Sequence, residues 1–151
     1  MIKPTHKLEF DYSKISELIY LGSDACCKTH FAKALLDKGI RADISLEQER
    51  LDEPHGVDFY LWLPVKDMEA PTQAQLSVGV QTMEEMLANQ IKIYIHCQYG
   101  IGRSPTLLMA YFIAHGWSLQ AAYDLVKTKR PVTKLTPKQF IALKKFAKQY
   151  K

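Results

Sequence analysis

The sequence predicts an α/β fold, with a central, mostly parallel sheet of four to five strands flanked by helices. Three observations lead there. Short apolar runs rich in β-branched and aromatic residues begin near residues 15, 40, 57 and 91. Segments with apolar residues at helical spacing lie between and after them. Strands alternating with helices require crossover connections, which favour parallel pairing. The 151 residues can bury one substantial core, so a single domain over 1–151 is expected, with 1–14 a polar, extended arm.

The first strand is read over residues 15–21 and ends at Gly22-Ser23. Ser23 or Asp24 can cap a helix to about Lys38, with Phe31, Leu35 and Ala34 inward, and Gly39 ends it. Residues 40–46 form the next strand, followed by an acidic loop closed by Pro54. In the strand over 57–65, Val57, Phe59, Leu61 and Leu63 share one side and Tyr60 and Trp62 the other, and Pro64 ends the pairing. A helix over 72–89 follows the loop 66–71, with Leu76, Val80, Met83 and Leu87 spaced for burial and Gly79 a weak point. After a strand over 91–95 come three helices. The first runs 104–115, with Ser104 as cap, Pro105 at its first position and an apolar load that implies protein all round. The second runs from the Ser118 cap to Lys129, with Leu119, Ala122 and Val126 inward. The third starts at Thr136-Pro137, with Phe140, Leu143 and Phe146 packing and lysines outward.

The centre of the sequence is the stretch 91–106. A buried strand (Ile91, Ile93, Tyr94, Ile95) leads into a turn, His96 to Arg103, holding Cys97, Gly100 and Gly102, and then into a helix. Strand, glycine loop and helix make an anion site, because loop amides and the positive end of the helix dipole converge. A thiolate needs such positive potential. Arg103 offers a planar fork of donors matched to two phosphoryl oxygens. Ser104 can hydrogen-bond the Cys97 sulfur, and the glycines let the backbone curl with its amides inward. Reading Cys97 as a small buried hydrophobe and Arg103 as a surface charge leaves the paired glycines unexplained. A nucleotide-binding loop would need Gly-x-x-x-x-Gly-Lys-Ser/Thr, and a dinucleotide fingerprint a third glycine; neither is present.

The run His96-Cys97-Gln98-Tyr99-Gly100-Ile101-Gly102-Arg103-Ser104 resembles the His-Cys-x-x-Gly-x-x-Arg-Ser/Thr signature of cysteine-dependent protein phosphatases. Ile19-Tyr20-Leu21-Gly22-Ser23 and the tail residues Tyr111 and Arg130-Pro131 extend the likeness to the small atypical dual-specificity phosphatases, over residues 15–150. The larger domain and the Lys-Asn-Arg-Tyr loop of other tyrosine phosphatases are absent. The resemblance implies the cysteine-phosphatase fold and phosphate-monoester hydrolysis through a phospho-cysteine, without cofactor or metal. Cys97, Arg103, Asp67 and Ser104 are then the catalytic set. The amides of Gln98, Tyr99, Gly100, Ile101, Gly102 and Arg103 bind phosphate. The matching histidine, His96, supports the loop.

An ester oxygen leaving from phosphorus needs a proton donor on a loop across the cleft. Asp67, thirty residues before Cys97 in a strand-to-helix loop, sits where the family carries its general acid; Glu69 is the reserve. Gln139 could reach the cleft, but its match is loose. The expected substrate is a phosphoprotein, phosphotyrosine first and phosphoserine or phosphothreonine after it. Phosphoinositides are disfavoured by the uncharged Gln98, Tyr99, Ile101 and Gly102. Soluble inositol polyphosphates and RNA 5′-triphosphate share the same chemistry and rank below the phosphoprotein. A phosphate-binding adaptor without turnover is the reading outside enzymes.

Composition fits this picture. Apolar content of 47% and charged content of 24% are ordinary for a globular chain, and no apolar run approaches the ~20 residues of a membrane span. The net charge of +4 is uneven: ten acids against three bases over 41–90, one acid against nine bases over 105–151. That polarity can steer an anion, or it can be a solvated lysine face. Nucleic acid is a weak expectation without interleaved aromatics. A monomer is expected. The first residues lack a secretory apolar core, which places the chain in the cytoplasm. Three cysteines make no disulfide framework. Cys26 and Cys27 are neighbours, between which a bond is strained, and neither has metal-ligand spacing with the histidines. They read as small residues packed in a helix. A less favoured reading brings one of them to Cys97 as a protective disulfide on oxidation.

Overall fold

The computed structural model describes residues 11–27 and 30–150. Five strands form one sheet: β1 (Tyr12–Lys14), β2 (Ile19–Gly22), β3 (Ile40–Glu47), β4 (Phe59–Val65) and β5 (Lys92–His96). Their spatial order is β1-β2-β5-β3-β4. All neighbours pair in parallel except β1, which pairs antiparallel with β2 at one edge. The helices are α1 (Lys33–Leu36), α2 (Gln73–Ala88), α3 (Arg103–Ala114), α4 (Leu119–Lys129) and α5 (Pro137–Ala147). The α/β, mostly parallel sheet read from the sequence is therefore what forms.

The central strand β5 shows why the site sits where it does. Side chains alternate along a strand. Ile93 and Ile95 enter the main core with Leu107, Leu108, Leu76, Met83 and Leu143. Tyr94 points to the opposite face, into a smaller core with Cys26, Cys27, Phe31 and Leu35. His96 follows on that second face by the same alternation. β5 is flanked on both sides by parallel strands, so its carboxyl end opens at the edge of the sheet, where open α/β sheets bind ligands.

Local signals set the helix ends. Thr72 and Thr136 each cap a helix and close a reciprocal box, with Gln75 and Gln139 respectively, and Ser118 caps α4. Gly79, a weak point by propensity, has a packing reason: a Cβ there would lie 2.6 Å from Leu107 Cδ1.

Several elements depart from the sequence reading. The strand expected from residue 15 starts at Ile19, because 15–18 form the hairpin turn closed by Ile15 N–H to Ile19 O at 2.9 Å. Tyr12–Lys14 of the expected polar arm pair as an edge strand, and residues 1–10 of that arm lie outside the described residues. The long helix expected to run to Lys38 is a 3₁₀ turn at Asp24–Cys26 and the short α1, and Ala34 is exposed. Here backbone groups pair across the chain instead of along a helix: Phe31 N–H donates to His55 O and Glu53 N–H to Cys27 O, both at 3.0 Å. Cys26 and Cys27 are joined to each other in a disulfide, not packed as separate helical residues, and Cys97 is free. Pro64 does not end β4. β4 is an edge strand, and its pairing with β3 shifts register between Ser45 and Glu47, where a missing N–H is tolerated. Ser104 is not the cap of α3; Gly102 is, without a side-chain cap, and Pro105 falls at the third helical position.

Leu107 is fully buried between α2, α3 and the sheet. Leu107→Ala is expected to lower stability by about 2–5 kcal/mol. Ile141→Ala, on the exposed side of α5, should stay within about 0.5 kcal/mol of the parent. Urea midpoints at unchanged m-value measure both.

Candidate active site

The turn between β5 and α3 is held by its carbonyls. Gln98 O accepts from Asp24 N–H at 3.1 Å. Tyr99 O and Gly100 O accept from the Arg130 guanidinium at 2.8 and 2.7 Å. Ile101 O accepts from Lys134 N–H at 2.9 Å. Gly102 O accepts from the Thr106 amide at 3.0 Å and its hydroxyl at 2.7 Å. The carbonyls of 98–101 are thus tied to other segments, and that of Gly102 opens the hydrogen-bond ladder of α3. Among the described residues, no amide of 98–103 donates within the protein. Those N–H groups are left free beside the N-terminus of α3, an arrangement that can hold an anion. Gly100 has φ +68°, and a Cβ there would strike the carbonyl of Gly22 and come within 2.8 Å of Arg130 Nη2. Only glycine fits.

Cys97 begins this turn, directly after β5. It is nearly buried, yet it lines a cavity of about 160 Å³ together with Asp67, Met68, Tyr99, Ile101 and Arg103. The Ser104 hydroxyl, freed from capping, stands 3.2 Å from the Cys97 sulfur. Arg103 is buried and locked from behind. Glu49 takes both of its terminal nitrogens, at 2.7 and 3.1 Å, and Val65 O accepts from Nη1 at 2.8 Å. Burial works to lower the Arg103 pKa, but the Glu49 hydrogen bond and the potential of Cys97, Glu49 and Asp67 outweigh it, so the value is raised.

Asp67 is on the facing loop, exposed, with Oδ1 3.6 Å from Arg103 Nη2. The next residue, Met68, holds a left-handed φ of +71°, uncommon for such a side chain. The loop is pinned by Thr136 Oγ1 donating to Met68 O at 3.1 Å and Gln139 Nε2 donating to Glu69 O at 3.1 Å. Glu69, the reserve acid, is occupied by Lys138 at 2.7 Å and does not line the cavity.

His96 faces away from the cavity. Its Nδ1 lies 3.3 Å from Cys97 O, and its Nε2 lies 2.7 Å from Asp52 and 3.0 Å from Asp43. Burial would lower the His96 pKa, but the two carboxylates outweigh it and raise it. Burial raises Asp43 to about 7. Asp52 also suffers burial, but its hydrogen bonds, to His96 first, bring it below its usual value. His96 therefore braces the turn from behind.

The geometry brings Cys97, Arg103, Ser104, Asp67 and the amides of 98–103 to one end of the sheet. Gln139, left open by the sequence, is buried, lines the cavity and ties α5 to the loop carrying Asp67. Two residues received no role from the sequence. Glu49 is one acid among ten in its stretch, and Arg130 was part of the tail likeness without a contact assigned to it. Arg130→Met should remove the donors of two carbonyls, at about 1–3 kcal/mol for each left unpaired. It should also weaken inorganic phosphate binding, by roughly tenfold if about 1.4 kcal/mol of nest geometry is lost. The exposed neighbour Lys129→Met should do neither. Denaturation and phosphate titration decide.

Comparison with known proteins agrees. The family described as dual specificity phosphatase, catalytic domain, matches residues 19–149. The mouse protein named phosphatidylglycerophosphatase and protein-tyrosine phosphatase 1 is 30% identical over 150 residues, covering 91% of this chain and 77% of its own. The crystal structure of PTPMT1 in complex with PI(5)P superposes with a TM-score of 0.78 at 28% identity, covering 92% of this chain and 96% of that one. Human DUSP28, at 24% identity, shares the fold with a TM-score of 0.80, over 91% of this chain and 96% of that one. With its cysteine, arginine and amide nest assembled at the end of β5, the chain belongs to the dual specificity phosphatase catalytic-domain family and is a cysteine-dependent phosphatase.

Proposed function

We propose that the chain hydrolyses phosphate monoesters of proteins, phosphotyrosine first. The observation that carries this reading is the makeup of the cavity. Cys97 and Arg103 form its base, and the partly exposed side chains of Met68, Tyr99 and Ile101 stand around it. An apolar rim over an anion nest matches an aromatic ring carrying a phosphate. Among the described residues, Lys134 is the one further base in the lining, too little for the additional phosphates of a polyphosphorylated inositol. A second reading, a phospholipid headgroup, is favoured by one specific observation: the similar mouse protein carries both activities in its name.

The roles follow from position. Cys97 attacks phosphorus as the thiolate, and the sulfur–phosphorus bond forms as the ester oxygen leaves. Arg103, oriented by Glu49, holds two equatorial oxygens, and the amides of 98–103 hold the rest of the charge. Asp67 gives its proton to the leaving oxygen. As carboxylate it then takes a proton from water, which attacks the phospho-cysteine. The Ser104 hydroxyl donates to the sulfur as it leaves.

Cys97→Ser should abolish turnover. Asp67→Asn should lower kcat on a phosphotyrosine peptide by about 10²–10⁴. It should cost much less on p-nitrophenyl phosphate, whose phenolate leaves without a proton, and Glu69→Gln should change neither. An equal loss from Asp67→Asn on both substrates would remove Asp67 from the acid role. For substrate class, phosphate release should be compared over phosphotyrosine and phosphoserine peptides, phosphoinositide and phosphatidylglycerophosphate vesicles, inositol phosphates and 5′-triphosphorylated RNA. A phosphotyrosine kcat/KM roughly tenfold or more above the others is expected. Faster release from either lipid would transfer the assignment to the headgroup.

A further inference from the structure

On the far side of β5 from the substrate cavity, four segments bring chemically unlike groups to one point. Cys26 and Cys27 come from the turn after β2, Asp43 from β3, Asp52 from the loop before β4 and His96 from the end of β5. All five are buried, and one donor atom from each lies within 4.8 Å of all the others. His96 Nε2 is 2.7 Å from Asp52 Oδ2, 3.0 Å from Asp43 Oδ1 and 3.6 Å from Cys27 Sγ. One ring nitrogen carries at most one proton, so it cannot serve two carboxylates. Asp43, fully buried and aimed into the cluster, competes with Asp52 for that nitrogen at Oδ1 and, among the described residues, has no hydrogen-bond partner at Oδ2. Two buried carboxylates facing one imidazole are satisfied more fully by a divalent cation.

We propose that these residues form a zinc site that is open only when the Cys26–Cys27 disulfide is reduced, with Cys26, Cys27, His96 Nε2 and Asp43 as the four ligands. The donor set selects the metal. Two thiolates and an imidazole suit Zn²⁺ and not Mg²⁺ or Ca²⁺. Tetrahedral zinc with such ligands has donor–donor edges of roughly 3.3–3.8 Å, so the groups need only small shifts. The outer partners are also in place. His96 Nδ1 faces Cys97 O, which is how a metal-bound imidazole fixes its tautomer. Arg50 Nη2 lies 3.9 Å from the Cys27 sulfur and 3.5 Å from Asp52 Oδ1, so Asp52 has a partner apart from the metal. No linear motif announces this site, because its ligands come from separate strands and loops.

The chemistry balances in two steps. A dithiol reductant passes two electrons and two protons to the disulfide, giving two thiols and its own disulfide. Zn²⁺ then displaces the two thiol protons and the proton held at His96 Nε2, all of which go to solvent. The site shares His96 with the catalytic turn, and the Asp24 amide beside it holds Gln98 O. Metal binding is thereby linked to the rigidity of the nest.

Co²⁺ serves as the spectroscopic probe. Reduced, metal-free protein titrated with Co²⁺ without oxygen should take up one equivalent and show thiolate-to-cobalt charge-transfer absorption. Zn²⁺ should displace it and raise Tm by a few degrees. The oxidised protein should show neither effect. Cys97→Ser should keep the band. Cys26→Ser/Cys27→Ser should lose it. Asp43→Asn should keep the band with Zn²⁺ affinity at least about tenfold weaker. Reduced wild-type protein without the band overturns the proposal, whatever the variants do. So does a band that survives Cys26→Ser/Cys27→Ser or disappears in Cys97→Ser.

Discussion

The structure depends on the outward tethering of one loop's carbonyls. A free loop of six residues would satisfy its amides and carbonyls with each other or with water. Here Asp24, Arg130, Lys134 and Thr106 engage the carbonyls of 98–102, and the amides are left to converge. A nest assembled this way is preorganised, so little reorientation is needed when charge builds on a bound oxyanion. The position of the tethers also explains the architecture. Arg130 sits at the end of α4 and reaches Asp11 at 3.0 Å as well, joining the beginning and the later part of the chain through the loop.

Arg103 illustrates the same logic on a side chain. A buried guanidinium needs partners, and Glu49 with Val65 O supplies them on the side away from the cavity. Its free edge is then presented to Cys97 and Asp67 with restricted rotamer freedom. The loop carrying Asp67 is held by a different element, α5, whose capping glutamine Gln139 reaches Glu69 O. Cys97 and Asp67 are thus carried by separate segments that meet at the carboxyl edge of the sheet.

Alternation along β5 gives the strand two duties. Ile93 and Ile95 bind it into the main core, while Tyr94 and His96 face a second, partly polar core behind the loop. The buried carboxylates of Asp43 and Asp52 gather around His96 there.

Most of the fold class was legible in the sequence, for a physical reason. Parallel strands buried on both faces read as continuous β-branched runs, helices as 3.6-residue periodicity, and helix starts as Ser or Thr caps, all within short windows. The nucleophile, the arginine and the glycines lay within one nine-residue run, because a nest must be contiguous. What the sequence could not decide were interactions between distant residues. The break after Cys26 is set by pairing with the loop around Glu53 and His55, and the tolerance of Pro64 by the edge position of β4. The partners Glu49 and Arg130, and the convergence of Cys26, Cys27, Asp43, Asp52 and His96, exist only where separate strands are brought side by side. The sequence determined the chemistry of the loop, since that depends on neighbours along the chain. Tertiary structure alone decided what surrounds it, since those contacts depend on neighbours in space.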